Sequence, residues 1–338
     1  MSMKKYSSNR TITAIALALA VFTTSLGAID KANHPYGPLY ITGQTPLQTL
    51  RLDIVPTRLD ILDYGQAEYS LFNNVTNRWN RTSSYLLDLE VVQNIFIFNL
   101  GLGGGFEIGA ELPVLSLSGG NMDRFIMDFH DGFGLGQADR SDRPLNAMTV
   151  SYMDENGETV VILDEDDRGT IIGDVSVTGK YQLINGNNKW FNTVVVTVLM
   201  RFPTATERFY YGSGGIDGAV SLAARHRINP FYLYTTVGYG IYGSGTYFGL
   251  DLRPYQWTFF SALEWPVHKR FSLVIQQLVN SGVARGQDSF SDPTWELVLG
   301  AKHYIGKGLY LEYGITENLF FFSNSNDFGL SLGMTFLP

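Results

Sequence analysis

The chain ends in DFGLSLGMTFLP, and its last stretch alternates without a break. Phe328, Leu330, Leu332, Met334 and Phe336 are large and apolar; Gly329, Ser331, Gly333 and Thr335 between them are small. A period of two puts these sets on opposite faces of an extended strand. The pattern returns along most of the chain after residue 65. DVSVTGKYQL sets Asp174, Ser176, Thr178 and Lys180 against Val175, Val177 and Tyr181. FEIGAEL opposes Glu107, Gly109 and Glu111 to Phe106, Ile108, Ala110 and Leu112. LYLEYGIT opposes Glu312 and Thr316 to Leu309, Leu311, Tyr313 and Ile315. Each such strand meets one polar and one apolar environment.

Twelve strands are predicted, near 66–78, 84–100, 105–116, 170–184, 189–202, 215–226, 231–241, 255–265, 270–280, 293–304, 308–318 and 327–336. Each reaches the roughly 9–11 residues that cross a hydrocarbon layer when tilted. The connections alternate in size. GLGGG, NGNN, RINP, PVHK and YIGKG are tight; apart from a few residues after Trp79, the others are longer, at 117–169, 203–214, 242–254, 281–292 and 319–326. One tight end and one elaborated end is the asymmetry of an outer-membrane barrel. All five tryptophans, Trp79, Trp190, Trp257, Trp265 and Trp295, fall at strand ends, where an interfacial belt would lie. The expected fold is therefore all-β, a closed antiparallel transmembrane β-barrel of about twelve strands. Closure follows because lipid offers no partner for an open sheet edge. A soluble sandwich or lipocalin-like barrel alternates too, but does not combine these three features.

The first residues read as an export signal rather than as part of the fold. MSMKKYSSNR carries Lys4, Lys5 and Arg10 and no acid, TITAIALALAVF is apolar, and small residues follow near Gly27 and Ala28. Residues 1–27 are thus the expected signal peptide. Losing it takes the net charge from −8 to about −11, which excludes nucleic acid as a partner. There is no cysteine, so packing and hydrogen bonds alone hold the exported chain. Residues 28–65 are punctuated by proline and lie either in the periplasm or in the lumen as a plug; the sequence favours neither. The barrel proper spans 66–338.

The insertion at 117–169 is expected to be extracellular or to cap the lumen. GGNMDRFIMDFHDG reads as a short amphipathic helix capped by Asn121, with Met122, Phe125, Ile126 and Phe129 on one face. AMTVSYMDENGETVVILDE alternates on both sides of Asn156-Gly157, a hairpin signal. Long insertions of this kind are commonly functional. The helix, with His130, is expected to constrict the barrel mouth; a surface loop packed only on its neighbours is the alternative.

The inward positions supply the candidate lumen lining. The acids are Asp88, Glu90, Glu107, Glu111, Asp174, Glu264, Glu296 and Glu312; the bases are Lys180, Arg201, Arg225 and Lys302. Charges there either select a cationic or neutral polar solute or fill a narrow barrel as ion pairs. His34, His130, His226, His268 and His303 show no metal-ligand spacing, and no GxSxG elbow is present. No cofactor, metal or catalytic residue is therefore assigned. The acidic run Asp164 to Asp167 offers oxygen ligands for calcium or is a solvated loop.

GPLYITGQTPLQ, FEIGAELPVLS, FHDGFGLGQADRSDRP, GSGGIDGAVSLA and DPTWELVLGAKHY together resemble a family of exported bacterial barrel-like proteins of unknown function. FEIGAELP is also similar to strands in transporter-like barrels of aromatic degradation pathways. The family resemblance implies the barrel and the outer membrane of a Gram-negative bacterium, and carries no functional residues with it. The final strand, with Phe336 near its end, resembles an outer-membrane assembly signal, which implies the barrel-assembly machinery as a partner beside membrane lipid. The leading functional expectation is passage or uptake of a small solute. A non-conducting structural or interaction barrel is the alternative, and a membrane-embedded hydrolase the second.

Overall fold

The computed structural model describes residues 35–44, 47–55, 58–133, 140–154, 156–186, 191–205, 212, 214–247, 249–286, 291–317 and 328–338. The expected signal peptide at 1–27, His34 and Trp190 lie outside the described residues. Twelve long strands form the wall: β1 (Ala67–Arg81), β2 (Tyr85–Gly103), β3 (Phe106–Ser118), β4 (Val175–Asn185), β5 (Thr193–Phe202) and β6 (Asp217–Ile228). They continue as β7 (Phe231–Ile241), β8 (Tyr255–His268), β9 (Phe271–Asn280), β10 (Thr294–Gly306), β11 (Leu309–Glu317) and β12 (Phe328–Phe336). Each pairs antiparallel with the next, and β12 returns to β1 with Tyr69 opposite Phe336 and Asn77 opposite Phe328. The sheet is closed, so within the lipid every strand has a partner on both sides.

The alternation read from the sequence sorts the two faces. On β12, Leu330, Leu332, Met334 and Phe336 are exposed on the outside while Gly333 is buried within. Phe96, Ile108, Val198, Val237, Ile275 and Leu299 continue this apolar outer surface around the barrel. Aromatic pairs stand at the tight-turn end, such as Phe106 against Tyr181 at 4.4 Å and Phe231 against Trp265 at 6.0 Å. His226 and His303 also lie at that end, edge-on to Phe191 and Phe271. Trp257 is exposed at a strand end, as an interfacial belt requires, whereas Trp79 is buried.

The insertion between β3 and β4 holds helix α1 (Asp123–Phe133), a hairpin (Thr149–Met153 and Thr159–Leu163) and a short strand, Gly169–Ile172. The hairpin extends the sheet beyond the lipid by pairing with the first residues of β2, Tyr85 opposite Tyr152. Gly169–Ile172 pairs with the last residues of β3.

The described residues of the N-terminal segment, 35–44, 47–55 and 58–62, run inside the barrel. The segment starts at the tight-turn end, where the Tyr36 hydroxyl donates to the Lys269 carbonyl. It climbs to a single 3-10 turn at Leu47–Leu50, held to β8 by reciprocal amide bonds between Gln48 and Gln256. It then descends to Leu62, whose amide donates to Glu107 of β3. Inner-face glycines make room for it. A Cβ on Gly238 of β7 would stand 2.5 Å from the Ile54 Cδ1, and one on Gly300 of β10 would stand 2.6 Å from the Leu39 Cδ1. Both arms of the segment are therefore seated in notches cut into the wall.

Candidate functional site

The strand register assigns each predicted lumen residue to a face. Glu111, Ser176, Arg201 and Asp217 stand in one row across β3, β4, β5 and β6, all inward. Glu107 and Lys180 form a parallel row nearer the tight turns. Glu264, Glu296, Lys302, Glu312 and Arg225 also lie on inner positions. Asp174, just before β4, shares the face of Ser176 and is 1% exposed.

These charges hold the N-terminal segment. Its ascending arm cannot make ladder bonds, so its amides need other acceptors away from water. Glutamates supply them. Glu264 accepts from the Tyr36 and Gly37 amides at 2.8 and 3.1 Å, Glu312 from Tyr40 at 2.7 Å, and Glu296 from Gln44 at 2.7 Å. Gln276 takes the Leu39 amide at 2.9 Å. The descending arm is held mainly through its side chains, beside the Leu62 amide bond to Glu107. Arg58 bridges Glu68 at 3.0 Å and Glu107 at 3.2 Å, and Asp60 meets Arg225 at 2.7 Å. Lys180 pairs with Glu107 at 3.0 Å, Lys302 with Glu312 at 2.8 Å, and Arg201 with Asp217. The residues of 35–62 that donate these bonds include the stretch GPLYITGQTPLQ, which carries part of the family resemblance but no signal for a lumen plug; the clue was a run of inner-face acids without matching bases.

Two expected members of the lumen lining are on the other side of the wall. Asp88 and Glu90 lie on the outward face of β2, because their register partners on β1, Trp79 and Asn77, are outward. They are buried by the insertion. Arg143 reaches Asp88 at 3.3 Å, and the Asn121 and Met122 amides donate to Glu90 at 3.2 and 3.0 Å. This also corrects the expected constriction by α1. Asp123 of α1 bonds the outward Asn77 at 3.0 Å, and Phe125 lies edge-on to Phe328 at 5.8 Å. Phe125, Ile126, Phe129 and His130 therefore belong to a helix laid against the outside of the rim, with Met122 just before it and Ile126 fully buried there. The amphipathic pattern identified the helix but not the surface it covers.

The mouth is closed instead by an apolar cluster. Leu89 and Val91 of β2 are fully buried on the inner face with Leu115 and Leu117 of β3. Leu47 joins from below, Val150 and Tyr152 from the insertion hairpin, and Leu250, Leu252 and Val283 from the outer loops. Each fully buried side chain of this size contributes roughly 2 kcal/mol. The acidic run Asp164 to Asp167 stands apart as an exposed 3-10 turn, with the Asp164 side chain accepting from the Asp166 amide at 2.9 Å.

Between the descending arm and β1–β6 there remains a chamber of about 620 Å³. It reaches from Lys269, Tyr304 and Tyr310 at the tight-turn end to Leu115 and Asp174 below the cap. Its middle is lined by Tyr40, Asp53, Phe72, Ile95, Glu111 and Arg201. Tyr40 stacks on Phe72 at 4.3 Å and donates to Glu111 at 2.6 Å. Burial raises the Tyr40 phenol well above its usual value, and the Glu111 carboxylate adds to this. Asp53 accepts from the Gly43 amide and from Gln48, each at 2.9 Å, and burial pushes its carboxyl up to about 7. Arg51 spreads over the Tyr242 ring at 4.2 Å, and burial lowers it to about 10.

An outer membrane channel from Pseudomonas putida F1 has a similar structure, with a TM-score of 0.56 at 11% identity, covering 85% of this chain and 100% of that one. The NanC porin aligns at a TM-score of 0.45 and 10% identity, over 79% of this chain and 100% of that one. The Ralstonia pickettii toluene transporter TbuX aligns at a TM-score of 0.38 and 9% identity, over 87% and 92%. No curated protein matches the sequence. The fold is that of an outer-membrane β-barrel. The model of DUF3187, a family of proteins of unknown function, matches residues 14–337, and the chain belongs to that family.

Proposed function

We propose that the protein is an outer-membrane channel that takes a small solute into its lumen chamber, and that segment 35–62 gates the passage. The observation that carries this reading is the chamber itself. A barrel that served only as a scaffold would gain by packing its lumen, yet about 620 Å³ of mixed polar and apolar space is left beside the plug. The two arms of the plug also differ. The ascending arm is fixed by a series of backbone amides, whereas the descending arm depends chiefly on Arg58 and Asp60 ion pairs, with the Leu62 amide as its backbone anchor on Glu107. By the same reading β12 is the strand handed to the barrel-assembly machinery.

Planar-bilayer recordings of the folded full chain test the proposal, comparing wild type with Arg58→Ala. Wild type is expected to show small, infrequent openings. The variant, with two ion pairs removed from the descending arm, is expected to open more often or wider. If both proteins insert and neither conducts, the reading fails and the barrel is a non-conducting scaffold whose loops meet other partners.

A further inference from the structure

We propose that the lipid-facing side of β7–β9 is an interface between two copies of this chain, paired by a two-fold axis near Ser261 and Gln277. The inference goes beyond the channel reading and does not depend on whether the barrel conducts. Its basis is a polar row on a wall that is otherwise apolar. Thr235 of β7 stands opposite Ser261 of β8, and Ser261 stands opposite Gln277 of β9. All three occupy outward positions. Val237, Phe259, Leu263 and Ile275, each two residues along from one of them, are exposed on the outer surface. The inward neighbours Thr236, Phe260 and Gln276 are buried.

The row lies at the depth where lipid offers least to a polar group. Phe231 and Trp265 pair at 6.0 Å at the tight-turn end. At the other end Tyr239 stacks on Tyr255 at 6.0 Å, and Trp257, opposite Tyr239, is exposed. Aromatic belts of this kind mark the two interfaces of a bilayer. Ser261 falls midway along β8 between Trp265 and Trp257, hence near the bilayer centre. The Gln277 amide donates to the Ser261 hydroxyl at 2.9 Å. That bond uses one N–H; a carboxamide has a second N–H and a carbonyl oxygen, and hydrocarbon can bond neither.

A second protein surface can, and polar side chains hold packed proteins together within bilayers in this way. The chemistry of the row selects the partner. Carboxamide and hydroxyl groups each donate and accept, so the row is complementary to its own image after a half-turn, as a two-fold contact requires. Thr235, Ser261 and Gln277 carry no charge, so two copies meet without repulsion. Another outward polar pair, Asn73 with Asn94 at 2.9 Å, lies on the far side of the barrel. It stands two outward positions from Asn77, which the insertion covers, and so borders polar surroundings that the chain itself provides. The β7–β9 row is instead bordered above and below by exposed apolar residues.

Fluorescence energy transfer between full-length barrels in liposomes tests the pairing. The chain has no cysteine, so Asn156→Cys on the exposed hairpin turn takes a donor or an acceptor dye. As protein is diluted into lipid, transfer is expected to fall along a monomer–dimer curve, and photobleaching of single assemblies to show at most two steps. Gln277→Leu is expected to need about tenfold more protein per lipid for half association, because two symmetry-related bonds are lost and each is worth roughly threefold. Ser261→Ala serves as the second variant, with the same expected direction. Asn73→Leu, on the far side, is expected to leave the curve unchanged. The heat-dependent gel shift of each protein reports that its barrel is folded. Transfer no greater than random crowding at every density, three or more bleaching steps, an unchanged curve in both folded variants, or a loss confined to Asn73→Leu overturns the interface. Conductance is read separately: a conducting monomer sinks the interface alone, and a dimer that never conducts sinks the channel reading alone.

Discussion

At the scale of single residues, Asp53 makes the plug sensitive to pH. Its carboxyl is raised from 3.8 to about 7, first by burial and further by the Glu111 charge, against the lowering effects of Gln48, Gly43 and Arg201. Below the unfolded value both states hold the proton and the group costs nothing. Between 3.8 and about 7 the unfolded chain ionises while the folded one does not, so its contribution to stability falls as pH rises. The full cost above that window is on the order of 4 kcal/mol. Asp53→Asn, which resembles the protonated form, is expected to melt a few degrees higher than wild type at pH 8 and at nearly the same temperature at pH 4. Thermal unfolding in detergent across this range checks it. A difference that is constant with pH would mean that Asp53 is ionised in place without penalty. The sequence marked inner-face acids such as Glu107, Glu264 and Glu312, because alternation within the lipid assigns polar residues inward. It did not mark Asp53, which sits in a segment with no period at all.

At the scale of elements, the insertion is fastened to the outer rim by a polar network under a helix. Asp123 is its centre. It bonds Asn77 at 3.0 Å, the Asn146 amide at 2.8 Å and Arg140 at 3.4 Å, while Arg140 also reaches Asn77 at 2.6 Å and lies 5.7 Å over the Trp79 ring. Arg140 and Asp123 are both buried. Asp123→Ala strips the charge partner from a buried guanidinium, and one-sided loss of that kind costs about 3–5 kcal/mol. The loss is expected to fall on the insertion rather than on the barrel. Limited proteolysis should cut the variant within 119–168 under conditions that leave wild type whole, while its barrel still shows the heat-dependent gel shift. Cleavage at the same rate in both proteins would show that the apolar contacts alone hold the insertion. This element also explains why Asp88 and Glu90 were misplaced by sequence. β2 is 19 residues long, more than a bilayer needs. Beyond the lipid the environments exchange: the inner face meets the apolar cap and the outer face meets a polar cover. Alternation continues unbroken through that exchange, so Leu89 and Glu90 change meaning without changing pattern.

At the scale of the whole molecule, the barrel is a vessel closed at one end. The twelve strands, their closure and the tight and elaborated ends were all legible, because each strand carries its own two-sided environment in its residues. The lumen's filling was not, since it depends on which distant segments meet there. Leu47, Val91, Leu117, Tyr152, Leu250 and Val283 come from separate parts of the chain to build the cap. At the other end the chamber runs out between Lys269, Tyr304 and Tyr310, among the tight turns. On the proposed channel reading, solute is expected to reach the chamber from the tight-turn side while the cap is intact. The chain has no cysteine, so a single introduced thiol reports on access without interference. Thr178→Cys places one on the chamber wall, and Asn156→Cys places another on the exposed hairpin turn as a reference for the loop side. In oriented proteoliposomes a membrane-impermeant maleimide is expected to modify the Thr178→Cys protein from the tight-turn side only, and the Asn156→Cys protein from the loop side only. Equal modification of the chamber thiol from the loop side would mean that the apolar cluster does not seal the mouth, and that the plug is the barrel's one closure.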